Sequence, residues 1–495
     1  MCSPLDGAGT AGGGIAAFPA GELEILDLSD DGRGIGRLDG MAVFVPDLIP
    51  GDTALVTVTA FKKRYAVGKT EKLLRRSPDR IPPACPYTWQ CGGCSLQEME
   101  YAAQLRIKER HVREKLMRIG GMREPALQPV LAMETPRNYR NKAQYAVEYG
   151  KGAEVRVGFY GAGSRRTADI PCCRIQAAPA DAVADALRRF LLSRPAARKT
   201  GAADARGKAQ DLPAGGSLPL IDRLTVRTAF ETGEVMAILA GAEEKMPGLA
   251  RLIAMMDEAV AALPPFGDGA EFSLESVILQ GGATGKAGNG AGSKADGNCL
   301  AAAGKPVIAE RMGGLDFEVS PLSFYQVNPV QARALAAQVV KYAALSGGET
   351  VFDLYCGVGS LGLFCAAGAR RVIGVESARQ AVSDANRNAV INGIVNAAFV
   401  CGKAEQALPE LLEEERADVV ILDPPRAGCS PELLRAITEA APQRIVYASC
   451  DPATLARDVK QITGAGYTFT EGTPIDMFPH TLHVETVVLL QRADA

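Results

Sequence analysis

Asp353-Leu354-Tyr355-Cys356-Gly357-Val358-Gly359-Ser360 is the stretch that decides the fold of this 495-residue chain. The residues from Thr350 to Leu354 are apolar enough for a buried strand. The Gly357-Val358-Gly359 turn then opens a helix through Leu361, Leu363 and Phe364. Further on, Val372-Ile373-Gly374-Val375-Glu376 reads as a second strand that ends in a carboxylate. Strand, glycine turn, helix, strand and acid form the layout of a nucleoside-cofactor site. Glycine lets the backbone approach the ligand, and the acid accepts hydrogen bonds from ribose hydroxyls. A third glycine is missing and no Gly-Lys-Ser or Gly-Lys-Thr sequence follows, so the pattern leans toward S-adenosylmethionine, which has no phosphates to cradle.

Downstream of this stretch the α/β repetition is regular. Strands are expected at 350–354, 371–376, 398–401, 419–422, 444–448 and 486–491. That makes the fold class α/β, a doubly wound Rossmann-like sheet with functional residues at the strand C-termini. Upstream, Asn328-Pro329 starts a helix, with asparagine as the cap and proline at the first helical position. Two strand ends carry chemistry, Asp423-Pro424-Pro425-Arg426 and Ser449-Cys450-Asp451-Pro452. C5 of uracil is a poor nucleophile, and adding a thiolate to C6 makes it enolate-like and able to take a methyl group. Cys450 is placed to supply that thiolate. Glu485, in His483-Val484-Glu485 before the last strand, can enter the same crevice as the base that removes the C5 proton. Asp423 can hydrogen-bond the uracil edge or organise the nucleophile. A buried core thiol is the plainer alternative for Cys450.

The chain has room for roughly two or three domains. It is 47% hydrophobic and 22% charged with a net charge of −3, so composition by itself points to no nucleic-acid partner. Charge is uneven, however. Lys62, Lys63, Arg64, Lys69, Lys72, Arg75, Arg76 and Arg80 stand against only Glu71 and Asp79, a patch able to contact phosphates. No run approaches the roughly 18 apolar residues of a membrane span. The first residues lack the basic and apolar regions of a secretory signal.

Residues 1–21 read as a disordered leader. Residues 22–74 read as short strands with glycine turns, a small OB-like barrel that ends in the basic, aromatic Phe61-Lys62-Lys63-Arg64-Tyr65. Cys85, Cys91 and Cys94 follow, three close thiols that need a fourth from Cys172 or Cys173 to complete a zinc or iron–sulfur site. A polar helix is expected over 97–119. Arg137-Asn138-Tyr139-Arg140-Asn141-Lys142 groups donors around a tyrosine, a mixture suited to RNA contacts. Residues 75–316 form a central α+β domain interrupted by low-complexity loops at 194–217 and 281–297. The segments 224–230, 235–239 and 277–280 are expected to be strands of one antiparallel sheet. Residues 317–495 form the cofactor domain.

Taken together, several stretches resemble the RNA uracil-5-methyltransferase family of the bacterial 23S ribosomal type. They are Phe324-Tyr325-Gln326-Val327-Asn328, the Asp353–Gly359 turn, Asp423-Pro424-Pro425-Arg426-Ala427-Gly428, Ser449-Cys450-Asp451-Pro452, and the run from Asp476-Met477-Phe478-Pro479-His480 through Glu485. The N-terminal barrel resembles the family's TRAM domain. The cysteines resemble its [4Fe–4S] ligands, and Cys173-Arg174-Ile175-Gln176 fits the pattern around the fourth, which selects Cys173 over Cys172. The resemblance implies that Gln326, Tyr355, Gly357, Glu376 and Asp423 line the S-adenosylmethionine pocket. It also implies that Cys450 attacks C6, that Glu485 is the base, and that Cys85, Cys91, Cys94 and Cys173 hold a structural cluster.

Two departures stand out. Asp451 occupies a place where the family usually has asparagine, and a carboxylate there would raise the Cys450 pKa if ionised and close. Ser164-Arg165-Arg166 replaces a Ser-His sequence. The implied partner is structured RNA, with 23S ribosomal RNA favoured and the transfer-RNA T-loop as the alternative, acted on by a cytoplasmic monomer that makes no membrane contact. The target base must leave its stack to react. A non-catalytic iron–sulfur RNA-binding protein is the alternative of another class, and intact Cys450 and Glu485 count against it.

Overall fold

The computed structural model describes residues 20–150, 154–193, 221–265, 270–281 and 299–493. The leader expected over 1–21 falls outside these apart from its last two residues. So does the tract 194–217, and so does 281–297 apart from Gly281. The chain divides into two compact units. One comprises the N-terminal residues through Ala84 with 95–104 and 480–482, and the other comprises 85–94, 105–479 and 483 onward.

In the first unit, β1 (Gly21–Leu28), β2 (Gly34–Leu38), β3 (Met41–Val45), β4 (Thr53–Phe61) and β5 (Tyr65–Arg75) close into a barrel in the order β1-β2-β3-β5-β4. Alternation drives the closure. Leu23, Ile25, Val43, Val45, Val56 and Val58 point inward, and a side chain at Gly36 would meet the Glu24 carbonyl at 2.5 Å. Lys62, Lys63, Arg64 and Phe61 are exposed. Arg80 is not part of that surface. Its guanidinium is buried between Asp52 (2.6 Å) and Glu98 (2.7 Å), and Asp52 also accepts from the Ile49 and Ser77 N–H groups.

The helix expected over 97–119 is α1 (Tyr101–Arg118). In the second unit a seven-stranded sheet contains β6 (Lys142–Tyr149), β7 (Val155–Tyr160), β8 (Thr167–Asp169), β9 (Arg223–Thr228), β10 (Glu234–Ala240), β11 (Ser273–Gln280) and β12 (Cys299–Gly304). Helices α2 (Ala178–Leu192) and α3 (Leu249–Ala261) share its core. The expectation of an antiparallel sheet fails at one pair, because β10 and β11 are parallel. Parallel neighbours need a crossover, and α3 is that crossover, docked through buried Leu252, Met256 and Val260.

A hairpin, β13 (Ile308–Met312) and β14 (Leu315–Val319), leads into the cofactor domain, so the boundary read at 317 falls inside a strand. There α4 (Pro329–Ala343), β15 (Thr350–Leu354), α5 (Ser360–Ala366), β16 (Arg371–Glu376), α6 (Arg379–Ile391), β17 (Ala397–Cys401), α7 (Ala404–Glu414), β18 (Val419–Leu422), α8 (Pro431–Glu439), β19 (Arg444–Ser449), α9 (Pro452–Gly464), β20 (Tyr467–Ile475) and β21 (Glu485–Arg492) follow in turn. The sheet order is β17-β16-β15-β18-β19-β21-β20, with the first five strands parallel and β21 antiparallel to β19. The order reverses at β15, the switch point where such sheets bind ligands beyond their C-terminal edge. Strand β20, at the sheet edge, had no counterpart in the sequence reading. Among the described residues no helix is long and apolar enough to cross a membrane.

Candidate active site

The carboxyl ends of β15, β16, β18 and β19 deliver the residues expected there to one edge. Beyond β15 the chain turns sharply, with Tyr355 in the left-handed region (φ 67°) and Gly357 and Gly359 at φ 55° and 83°. A non-glycine residue held there is strained, as is common where a backbone is shaped for a ligand. The turn is fixed because the N–H groups of Tyr355 and Cys356 both donate to the Val375 carbonyl (2.9 and 3.1 Å). At Gly359 a side chain would run into Phe399 at 2.7 Å, whereas space beside Gly357 is open. Glu376 closes over this turn. One oxygen accepts from Gly357 N–H (3.3 Å), and the other accepts from Ala378 N–H (2.8 Å) and the Ser377 hydroxyl (3.1 Å).

Asp353, fully buried within β15, was quoted in the sequence without a role. One carboxylate oxygen accepts from Gly362 N–H (2.8 Å) while the other is buried without a partner. Burial, with help from Asp423 and Glu376, pushes its pKa up to about 7. Asp423, one residue beyond β18, is also raised to about 7 by burial. A site with this surplus of carboxyls suits a cationic ligand, a sulfonium or an ammonium, and repels phosphates. The signal available in the sequence was an acid inside an otherwise apolar strand.

Cys450 and Glu485 come together across the last strand pair. Ser449 at the end of β19 pairs with Thr486 near the start of β21, so the next residues outward are neighbours. They sense each other electrostatically. Burial, then Glu485 and Asp423, push the Cys450 thiol up to about 11, with Arg426 opposing. Burial and Asp423 push buried Glu485 up to about 8, again opposed by Arg426. Arg426 is exposed, with Nη2 3.4 Å from His483 Nε2. It is the second residue whose role the sequence did not disclose. Asp451 is engaged by the helix that follows. Its Oδ1 caps α9, accepting from Ala453 N–H (2.9 Å) and Thr454 N–H (3.0 Å).

The loop carrying Asp423 is tied to the helix after Cys450 by buried Asp458, which accepts from Cys429 N–H (2.9 Å) and the Tyr447 hydroxyl (2.8 Å). The segment before Glu485 is anchored by a buried Lys108–Asp476 ion pair and by the Tyr139 hydroxyl, which donates to the Pro479 carbonyl (3.0 Å). Tyr139 belongs to the Asn138–Asn141 run. Asn138 N–H donates to Arg174 O, Arg140 N–H to Ile175 O and Ala177 N–H to Arg140 O. On its other side Asn141 N–H donates to Val327 O (2.8 Å), beside Gln326.

Cys85, Cys91, Cys94 and Cys173 all lie in the second unit and are partly buried. Several of these thiols sense one another electrostatically. Cys85 raises the Cys91 pKa after burial does, and Cys94 contributes to raising that of Cys173. Cys173 N–H is held by Asp181 (2.8 Å). Among the described residues no three Cys, His, Asp or Glu side chains are grouped so as to hold a metal ion. The donor set therefore has the chemistry of a cluster site without a closed arrangement around one ion.

Residues 313–493 match the family described as tRNA (Uracil-5-)-methyltransferase, and residues 22–70 match the TRAM domain. An uncharacterized RNA methyltransferase of Caldanaerobacter subterraneus subsp. tengcongensis is 39% identical over 476 residues, covering 95% of this chain and 98% of the relative. A similar one from Halalkalibacterium halodurans is 37% identical, covering 95% and 96%. Among solved structures, the tRNA (uracil-54, C5)-methyltransferase of Pyrococcus abyssi in complex with S-adenosyl-L-homocysteine matches with a TM-score of 0.67 at 27% identity. That match covers 96% of this chain and 100% of the other.

Proposed function

The chain belongs to the RNA uracil-5-methyltransferase family, whose methyl donor is S-adenosylmethionine, and from that premise we propose that it methylates C5 of a uracil in 23S ribosomal RNA with Cys450 as nucleophile and Glu485 as base. The observation that carries this mechanism is the β19–β21 register, which makes a thiol and a carboxyl neighbours at the cofactor edge. Cys450 Sγ, as thiolate, bonds to C6 of the uracil, and the C5=C6 electron pair shifts so that C5 takes the methyl group from the sulfonium. Glu485 then removes the proton from C5, the C5=C6 bond re-forms and the thiolate leaves. Its raised pKa suits a base that must hold a proton taken from carbon. Arg426 opposes the cost of ionising Cys450 among carboxyls.

Gln326, Tyr355, Gly357, Glu376 and Asp423 hold the cofactor, which supplies an electrophilic methyl group. Support for this comes from the carboxyl-rich edge and from Glu376 closing on the glycine turn. Cys85, Cys91, Cys94 and Cys173 hold a structural [4Fe–4S] cluster. Its support is the four-thiol donor set, brought into one compact unit. Anaerobic purification is expected to yield about four irons per chain with matching acid-labile sulfide, and stoichiometric zinc would overturn the cluster. The protein acts as a cytoplasmic monomer on structured RNA, which it grips partly through the exposed basic residues of the barrel.

One observation favours a second target, the T-loop uracil of transfer RNA. A structural neighbour that covers 96% of this chain is itself a tRNA (uracil-54, C5)-methyltransferase. Labelled methyl transfer to unmodified 23S ribosomal RNA and, in parallel, to unmodified transfer RNA separates the two. 5-Methyluridine in ribosomal RNA alone supports the first, and label confined to transfer RNA moves the substrate while keeping the chemistry.

A further inference from the structure

The segment from Ser320 to Asn328, which carries Gln326, is gripped from two sides. From the central sheet, Arg227 at the end of β9 donates through Nε to Pro321 O (3.2 Å) and through Nη2 to Ser323 O (2.5 Å). Asn141, just ahead of β6 on the adjoining strand, donates through Nδ2 to Gln326 O (3.0 Å) and through its N–H to Val327 O (2.8 Å). The two are neighbours because Lys142 pairs with Arg227 in the β6–β9 ladder. From the cofactor sheet, buried Asp384 on α6 accepts from the hydroxyls of Ser320 (3.0 Å) and Ser323 (2.5 Å). Asn328 ends the segment by capping α4 and donating to Met477 O (3.0 Å).

Arg227 is an expensive way to hold a loop. It is 4% exposed, and the hydrogen bonds above put its guanidinium on main-chain carbonyls, with Asp384 the counter-charge acting at longer range. Burial pulls its pKa down to about 10. A well-packed apolar side chain there would cost the fold less. What a guanidinium adds is a rigid fork that fixes two carbonyls at once. The backbone so fixed adjoins the cofactor turn, since Tyr325 packs in one core cluster with Cys356 and Val358. Asn388 on α6 also links Glu318 N–H (2.8 Å) to Val358 O (3.2 Å).

We propose that Arg227 and Asn141 are positioning residues for the methyl donor: they fix the main chain bearing Gln326 and thereby set cofactor affinity without touching the cofactor. This rests on Gln326 being a cofactor residue, as proposed above. The central sheet would then serve the cofactor site as well as the RNA.

Steady-state kinetics with S-adenosylmethionine and RNA varied separately, together with titration of S-adenosylhomocysteine, test the idea on Arg227→Lys, Asn141→Ala and Gln326→Ala. Arg227→Lys keeps the charge and loses the fork, and Asn141→Ala removes one donor and is the second variant should the lysine variant fail to fold. Both are expected to raise the cofactor KM and weaken homocysteine-product binding by roughly tenfold. The RNA KM and the kcat at saturating cofactor should stay near wild type. If only Gln326→Ala weakens cofactor binding, the positioning role is wrong and the assignment of Gln326 stands. If none of the three does, the assignment of Gln326 falls and takes the positioning role with it. An equal loss of RNA affinity, or lower kcat at unchanged cofactor KM, would mark a general structural role and overturn the proposal.

Discussion

Ser449 and Thr486 face each other in the β19–β21 ladder, and this register makes neighbours of Cys450, which leaves one strand, and Glu485, which begins the other. Only an antiparallel last strand could do this. A parallel β21 would carry its first residue to the opposite edge of the sheet, away from the cofactor turn.

Cys450→Ala is expected to bind S-adenosylhomocysteine like wild type and to lose methyl transfer by about a thousandfold or more. The check is calorimetric binding alongside labelled methyl transfer to RNA. Turnover near wild type would remove Cys450 from the mechanism.

Glu485→Gln should permit addition and methylation but stall before proton removal. A protein–RNA band that survives denaturant, carrying the labelled methyl group, is the expected product. A folded, RNA-binding variant that forms no such band argues that another group is the base.

The same variant has a stability signature. Glu485 is raised to about 8 in the folded protein, above its ordinary value of 4.5, so between these values the native state holds more protons than the unfolded chain. Stability contributed by this site is therefore greatest below the lower value and declines as pH rises toward the upper. Glu485→Gln keeps the shape without the ionisation. Its melting temperature relative to wild type should rise steadily from about pH 5 to about pH 8, followed by calorimetry, and a flat difference would contradict the raised pKa.

Asp451→Asn should leave stability and methyl transfer nearly unchanged, because an amide oxygen can accept from Ala453 and Thr454 as the carboxylate does. Asp451→Ala should cost about 1 kcal/mol through loss of the cap, read from denaturant unfolding. A large rate increase in Asp451→Asn would show that the carboxylate does suppress the thiolate.

Much of this was legible in the chain. Val419–Leu422 and the stretch 372–375 inside Arg371–Glu376 are buried on both faces, and these apolar runs located their strands correctly. Strand β20 escaped because Thr468, Thr470, Glu471, Gly472 and Pro474 break its pattern, as an edge strand tolerates. The parallel β10–β11 pair escaped with the helix that makes it possible. That Cys450 and Glu485 would meet could be anticipated because each sits in a short motif at a strand end. Arg227 could not be. Its partner Ser323 lies 96 residues away, and an arginine in an apolar strand does not announce which carbonyl it will find.

The Asn138–Asn141 run has a practical consequence for exchanging parts among relatives. Its main chain is bonded to 174–177 on one side and to Val327 on the other, while the Tyr139 hydroxyl reaches Pro479. A hybrid that takes its central sheet from one parent and its cofactor domain from another would keep the bonds to 174–177 but leave those to Val327 and Pro479 between strangers. Such hybrids should work only when the run travels with its matching pieces around Val327 and Pro479, so a change of target RNA is reached more readily by substitutions on the exposed surface than by recombination.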